Sequence, residues 1–298
     1  MNEKMSELFQ SDLPCASAQE EFDRCTFDVP FGAVDTHAHV ISGSELHPFA
    51  VDRSYTPPPA PEDKYLEMLD ALQMTYGVLV QVSVYGTDNS CMLEVLKRHP
   101  NKLRGIAVVS PDITDKELEA LHQIGIRGLR INVLFGGGVG FSVMERLADR
   151  IKDLGWHMQF LLDARNLPEL MPRMIKLPVR GVIDHMGHLP VATGIDDKGF
   201  LALRRLVTDH DYWVKLSGAY RISEKTESYD DVMPFAQTLI NDAPEHMLWG
   251  SDWPHVAQNQ TPNTGKLLNL LADWAPNSEI RDRILVSNPA LLYGFPRN

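Results

Sequence analysis

The sequence lacks several features that would settle its chemistry at once. Only three of its 298 residues are cysteine, Cys15, Cys25 and Cys91. Their spacing matches no zinc motif and they cannot all pair, so a disulfide framework does not hold this fold. Reduced thiols in a cytoplasmic protein are the economical expectation. No apolar run approaches the ~18 to 20 residues of a membrane span. The opening "MNEKMSELFQSDLPC" has no apolar core of a secretory leader. Basic charge is scarce, with 28 Lys and Arg against 40 Asp and Glu for a net charge of -12. That balance argues against binding a phosphate backbone. It leaves room for a small anionic substrate, because a few arginines can make a positive pocket in an acidic protein. No G-x-G-x-x-G follows a strand, which removes support for a dinucleotide fold. The glycine-rich "FGGGVGF" (Phe135 to Phe141) lacks the spacing and the lysine of a phosphate loop, and is expected to be a flexible loop after the fourth strand.

What is present is a rhythm. Hydrophobic residues make up 44% of a chain of ordinary globular composition. Length alone suggests two domains, but α/β barrels of this size often form one. Apolar, β-branched segments fall at "VDTHAHV", "GVLVQVSVYG", "LRGIAVVSP", "GIRGLRINVL", "WHMQFLL", "VRGVIDHMG", "YWVKLSGAY" and "HMLWGSDWP". Between most of them lie stretches with helical spacing, such as "DNSCMLEVLKRH" and "TDKELEALHQIG". Pro61 followed by Glu62 and Asp63 marks a helix start. Eight strand-helix units predict a single (β/α)8 TIM barrel over 31–298, preceded by a polar N-terminal arm over 1–30.

A barrel gathers its active site at the C-terminal strand ends, and those ends are unusually polar here. The first carries His37 and His39, and strict alternation along "VDTHAHV" puts Asp35, His37 and His39 on one face. The second ends with Ser83 and Tyr85, the fourth with Arg130 and Asn132. Asp184, His185 and His188 follow the sixth strand, and Lys215, Ser217, Tyr220 and Arg221 the seventh. Asp252 and His255 close the series. Three histidines and an aspartate thus converge from strands one, six and eight.

The pattern "DTHAHV … DHMG … GSDWPH" resembles the amidohydrolase superfamily. Within it, "VSVYGTDNS", "RGIAVVSP", "GIRGLRINVL", "VIDHMGH" and "SNPALLYGF" are similar in order to the lactonases typified by 2-pyrone-4,6-dicarboxylate hydrolase. The resemblance spans about Gly32 to Pro296. It implies a hydrolase that opens a carboxylated lactone, pyrone-dicarboxylate-like or muconolactone-like, in aromatic compound catabolism. Metal-dependent relatives carry a Lys or Glu after strand four and a His after strand five. Arg130, Asn132 and Gln159 stand in those regions, so a binuclear centre lacks its bridge. No cofactor is then required. A single divalent metal, zinc or manganese, on His37, His39, His185 and Asp252 is the alternative, because imidazole and carboxylate are suitable ligands. Two arginines of the lactonase are replaced, one within "FGGG" and one by His188, which implies a substrate with fewer or differently placed anionic groups.

Lactone opening needs a base for water, a polarised carbonyl and a proton for the leaving oxygen. Asp252 is the expected base. His37, His39 and His185 are expected to polarise the carbonyl, and Asp35 and Asp184 either to orient imidazoles or to be held by backbone donors. Arg130 and Arg221 are expected to clamp a carboxylate, the competing role being a structural ion pair. Tyr55, Ser83, Tyr85 and His188 complete the expected substrate site, while Trp249 and Trp253 are read as packing. A metal-dependent decarboxylase of an aromatic or muconate-like acid, or a sugar-acid lactone isomerase, are the competing activities. A homo-oligomer is compatible with the sequence.

Overall fold

The computed structural model describes residues 13–136 and 138–296. The part of the predicted arm before Leu13 lies outside the described residues. Eight strands run in chain order around one sheet, each parallel to the next. They are β1 (Val34–Ala38), β2 (Tyr76–Val80), β3 (Leu103–Ala107), β4 (Ile126–Asn132), β5 (His157–Leu161), β6 (Gly181–Ile183), β7 (Tyr212–Leu216) and β8 (Met247–Trp249). Seven fall inside the segments predicted from sequence and β2 starts one residue before its segment, at Tyr76, because short β-branched runs bounded by turn residues can be buried on both faces of a parallel sheet.

Helices cover the outside: α1 (Glu62–Ala71), α2 (Ser90–Arg98), α3 (Asp115–Ile124), α4 (Met144–Ile151), α5 (Leu167–Met174) and α6 (Lys198–Asp209) follow β1 to β6 in turn. After β7 come α7 (Ala219–Ile222) and α8 (Met233–Asp242). After β8 come α9 (Thr264–Trp274), α10 (Ser278–Asp282) and α11 (Asn288–Tyr293). Local chemistry sets their ends. Thr114 and Glu117 form a reciprocal capping box on α3, and Gly125 closes that helix at φ 110. In α4, Met144, Leu147, Ala148 and Ile151 are the buried positions. That is the i, i+3, i+4, i+7 stripe of a helix lying on a core, and burying each large member contributes about 1.5–3 kcal/mol.

The core has two parts. One packs the helices on the outside of the sheet. The other joins Val34, Val78, Val80, Ile106, Val182, Trp213 and Leu248 to Leu292, Tyr293 and Phe295 of the C-terminal segment. The arm from Leu13 onward lies on the barrel rather than apart from it. Leu13 pairs with Tyr55, Ala16 N–H donates to Gln258 O at 2.8 Å, and Asn263 and Asn269 bind the backbone of Glu21 and Arg24. Cys15, Cys25 and Cys91 are free thiols. Among the described residues no helix is long and apolar enough to cross a membrane.

Two local expectations change. Strict alternation along β1 fails, because its register against β2 slips between Asp35 and Ala38. The Asp35 carboxylate therefore goes to Tyr65 of α1 and to Ser251, while His37 meets Lys215 and Asp184. The loop after β4 is tied down rather than free. Asn132 accepts from the N–H groups of Leu134 and Phe135, Gly136 N–H donates to Ser54 Oγ, and a Cβ on Gly138 would stand 2.6 Å from Asn132 O.

The barrel closes between β1 and the segment after β8. His37 O accepts from Asp252 N–H and Trp253 O from His39 N–H, both at 2.8 Å. Close approach depends on Gly250, where a Cβ would lie 2.7 Å from His37 Cβ. Gly250→Ala is expected to cost about 1–3 kcal/mol by overpacking. Chemical denaturation checks this, and an unchanged midpoint would show that the seam has slack.

Candidate active site

The site is built around the seam. Asp252 is fully buried and sits at φ 61 in the left-handed region, an uncommon conformation for a non-glycine residue. From there its carboxylate faces three imidazoles. Oδ1 lies 3.7 Å from Nε2 of His37 and 3.7 Å from Nε2 of His39, and Oδ2 lies 3.7 Å from Nε2 of His185. The four catalytic candidates therefore meet around one point. His185 is itself at φ 51 and His188 at φ 49, so the turn after β6 is bent to aim imidazoles inward.

The two carboxylate oxygens of Asp252 have different surroundings. Oδ2 accepts from Tyr220 OH and from Arg221 Nε, each at 2.6 Å. Oδ1 has no hydrogen-bond partner. Burial opposes ionisation, but the Arg221 guanidinium and the surrounding imidazoles together outweigh it and hold the carboxyl well below its ordinary range. Asp252 is thus a carboxylate with one saturated and one open oxygen.

Burial disfavours the charged form of His37, His185 and His188. Burial pushes His37 down to about 3, helped by the Lys215 ammonium. Burial also brings His188 to about 3 and takes His185 well below the imidazole range. His39 Nδ1 lies 2.7 Å from Val80 O. A carbonyl only accepts, so Nδ1 carries a proton, and with no second proton on the ring Nε2 turns a lone pair toward Asp252. His185 Nδ1 is held 2.8 Å from Ser217 Oγ.

Beneath lies a buried polar layer. Lys215 donates to Gln159 Oε1 at 2.8 Å, Gln159 Nε2 to Asp184 Oδ2 at 3.0 Å, and Arg130 Nη2 lies 3.2 Å from the same oxygen. The register placing Arg130 beside Gln159 across β4 and β5 makes this possible. Burial lowers the Lys215 ammonium to about 8 against the pull of Asp184. Asp184 remains ionised, since Lys215 and its other neighbours outweigh its desolvation.

Above the carboxylate is a narrow cavity of about 10 Å³ lined by His39, Tyr55, Ser83, Arg130, Phe135, Leu161, His185, His188, Arg221, Asp252 and Val256. Tyr55 OH and Ser83 Oγ are 3.0 Å apart on its wall. Among the substrate-binding candidates, Arg130, Arg221, Tyr55, Ser83 and His188 reach the cavity. Tyr85 does not, because the turn at Ser83–Tyr85 sends its ring against Phe49 and its hydroxyl to the N–H of Ser42. Both arginines are already ion-paired, Arg130 with Asp184 and Arg221 with Asp252. Even so, three cations contact only two carboxylates in this network, Lys215 being the third. The excess positive charge suits an anionic ligand.

Sequence reasoning gave no role to Tyr220, Ser217 or Ser251. Their signal was position alone: each is a hydroxyl within a few residues of a site strand end. Asp184 does touch a site imidazole, 3.2 Å from His37 Nδ1. Asp35 is held instead by Ser251 and by the His37 N–H. Trp249 and Trp253 are buried in the core.

His37, His185 and Asp252 offer one ligand atom each, all within 4.8 Å of one another. Nε2 of His37 and Oδ1 of Asp252 are buried without partners, so donor type and spacing fit one divalent cation.

An eight-stranded barrel with this His-His-Asp mouth defines an amidohydrolase, and the chain matches the Amidohydrolase family over residues 34–295. The protein belongs to that family. It is 38% identical over 289 residues to 4-sulfomuconolactone hydrolase of Rhizobium radiobacter, covering 94% of this chain and 96% of that protein. It is 36% identical over 280 residues to 2-pyrone-4,6-dicarboxylate hydrolase of Comamonas testosteroni, covering 90% and 92%. A crystal structure of an apo Agrobacterium tumefaciens protein superimposes with a TM-score of 0.87 at 27% identity, covering 94% of this chain and all of that one.

Tyr220→Phe removes one of the two donors on Oδ2. A hydrogen bond to a charged group contributes about 1.5–3 kcal/mol, so protonation of Asp252 becomes easier and its pKa rises by about 1–2 units. The acid limb of the pH–rate profile is expected to move to higher pH by that amount. A profile superimposable on the wild type would show that Tyr220 does not tune the carboxylate.

Proposed function

We propose that the protein hydrolyses a small lactone bearing at least one carboxylate or sulfonate, opening the ring with a water activated by Asp252. The observation that carries this is the open Oδ1 of Asp252, 3.7 Å from the Nε2 atoms of both His37 and His39. A water between Oδ1 and the His39 lone pair would donate one proton to each and be aligned for attack. Asp252 removes its proton as the carbonyl carbon becomes tetrahedral, and returns that proton to the ring oxygen as the ring opens. The loaded Oδ2 keeps the carboxylate ionised and fixes its plane. His185, together with His37, faces the developing oxyanion.

Substrate charge is met by the cation excess of the cavity. Arg130 retains an unpartnered buried Nε, and Arg221 donates with Nε and Nη2 only. Each guanidinium therefore keeps donor capacity for an anionic group. Tyr55, Ser83 and His188 supply the neutral polar wall. The relatives act on a sulfonated muconolactone and a pyrone dicarboxylate, so a lactone from aromatic compound catabolism is the class to test, with the free thiols consistent with a cytoplasmic setting. If a divalent cation occupies His37, His185 and Asp252, with His39 alongside, it supplies Lewis-acid polarisation of the carbonyl and a more acidic water.

Purified protein is expected to turn over 4-sulfomuconolactone, 2-pyrone-4,6-dicarboxylate or a carboxylated muconolactone, with the ring-opened acid as product by NMR. Asp252→Asn is expected to lose about 10²–10⁴-fold in kcat. A variant with wild-type rate would remove the base assignment. A rearranged lactone or a decarboxylated product would replace hydrolysis with isomerisation or decarboxylation.

A further inference from the structure

Lys215 is fully buried in the middle of the barrel, and no step of the proposed hydrolysis uses it. Its three N–H bonds have three acceptors around them: Gln159 Oε1 at 2.8 Å, His37 Nδ1 at 3.2 Å and Asp184 Oδ1 at 3.4 Å. An ammonium group donates and never accepts. Gln159 confirms the polarity of the chain, since its oxygen faces Lys215 and its N–H₂ donates onward to Asp184 Oδ2.

His37 Nδ1 is therefore contested. Lys215 asks it to accept, and Asp184 Oδ1, 3.2 Å away, asks it to donate. The Lys215 contact has hydrogen-bond geometry, whereas the approach of His37 Nδ1 to Asp184 Oδ1 is an ion-pair contact only. A proton on Nδ1 would also face the ammonium protons at 3.2 Å.

We propose that Lys215 is a positioning residue that keeps His37 Nδ1 unprotonated and so turns an Nε2–H toward Asp252 Oδ1 and the reaction centre. His39 is held the opposite way by Val80 O, so the two imidazoles of one strand end divide the work. His39 accepts from the water, and His37 donates to the carbonyl oxygen. The same hydrogen bond acts against a cation. To ligate through Nε2, His37 must move its proton to Nδ1, against Lys215 and beside a fixed positive charge. Lys215 thus selects between two uses of the same three atoms.

The assignment of His37 to the carbonyl rests on the hydrolase reading, but the proton position does not, and neutron diffraction of the protein as purified reads it directly. The expected map shows deuterium on His37 Nε2, none on Nδ1, and three deuterons on Lys215 Nζ. Deuterium on Nδ1, with or without a metal at Nε2, would overturn the proposal whatever the enzyme hydrolyses. Lys215→Met gives a second test by zinc titration calorimetry. Freed of the ammonium, the site is expected to bind Zn²⁺ roughly tenfold tighter or better, and equal or weaker binding would count against the proposal. With a turned-over lactone, the same variant is expected to lose roughly tenfold or more in kcat with KM little changed. A loss confined to KM would contradict a role at the transition state. If the variant fails to fold, the wild-type neutron map still decides.

Discussion

The site depends on the seam where the barrel closes. Two backbone hydrogen bonds join β1 to the segment after β8, from Asp252 to His37 and from His39 to Trp253. They are also what holds the Asp252 carboxylate between two imidazoles. Asp252 stands at φ 61, a conformation that costs of order 1–3 kcal/mol for a residue of this kind. The seam, Tyr220 and Arg221 over-determine it. Strain of this sort persists only where surrounding structure enforces it, and here that structure is the barrel closure itself. The geometry of the candidate site and the stability of the fold thus rest on one set of contacts.

Charge is organised in depth around that seam. The lower layer of Lys215, Gln159, Asp184 and Arg130 is closely interlinked, and it fixes the ring of His37 from behind. The upper layer leaves one oxygen of Asp252 and parts of two guanidiniums uncommitted. A buried ion pair is often neutral for stability compared with apolar packing. Keeping three cations and two carboxylates in contact at the heart of the molecule therefore makes sense as a way of binding an anion and setting proton positions. This explains how a strongly acidic protein can have a locally positive site.

Much of this was legible in the sequence. All eight strands coincide to within one residue with segments picked out by β-branched runs, because a parallel barrel buries both faces of every strand and leaves a strong local signal. The family resemblance and the convergence of His37, His39, His185 and Asp252 followed from strand ends alone. Other features were not legible because they depend on contacts far apart in the chain. The slip in β1 that sends Asp35 to Tyr65 comes from its pairing with β2. The ion pairs that occupy Arg130 and Arg221 depend on Asp184 and Asp252 arriving from other strands. Tyr85 was assigned, like Ser83, as an end of the second strand, but a single tight turn separates their directions. Gly138 was read as a sign of mobility, yet the absence of its side chain permits close packing on Asn132.

The proposed hydrolysis requires a lactone carbonyl to bind between Oδ1 of Asp252 and the imidazoles of the seam. A crystal structure of the Asp252→Asn variant soaked with an anionic lactone tests this. The carbonyl carbon is expected over residue 252, its oxygen within hydrogen-bond reach of His37 or His185, roughly 2.6–3.2 Å, and the anionic group against Arg130 or Arg221. A lactone held elsewhere in the barrel, with its carbonyl turned away from these residues, would contradict it.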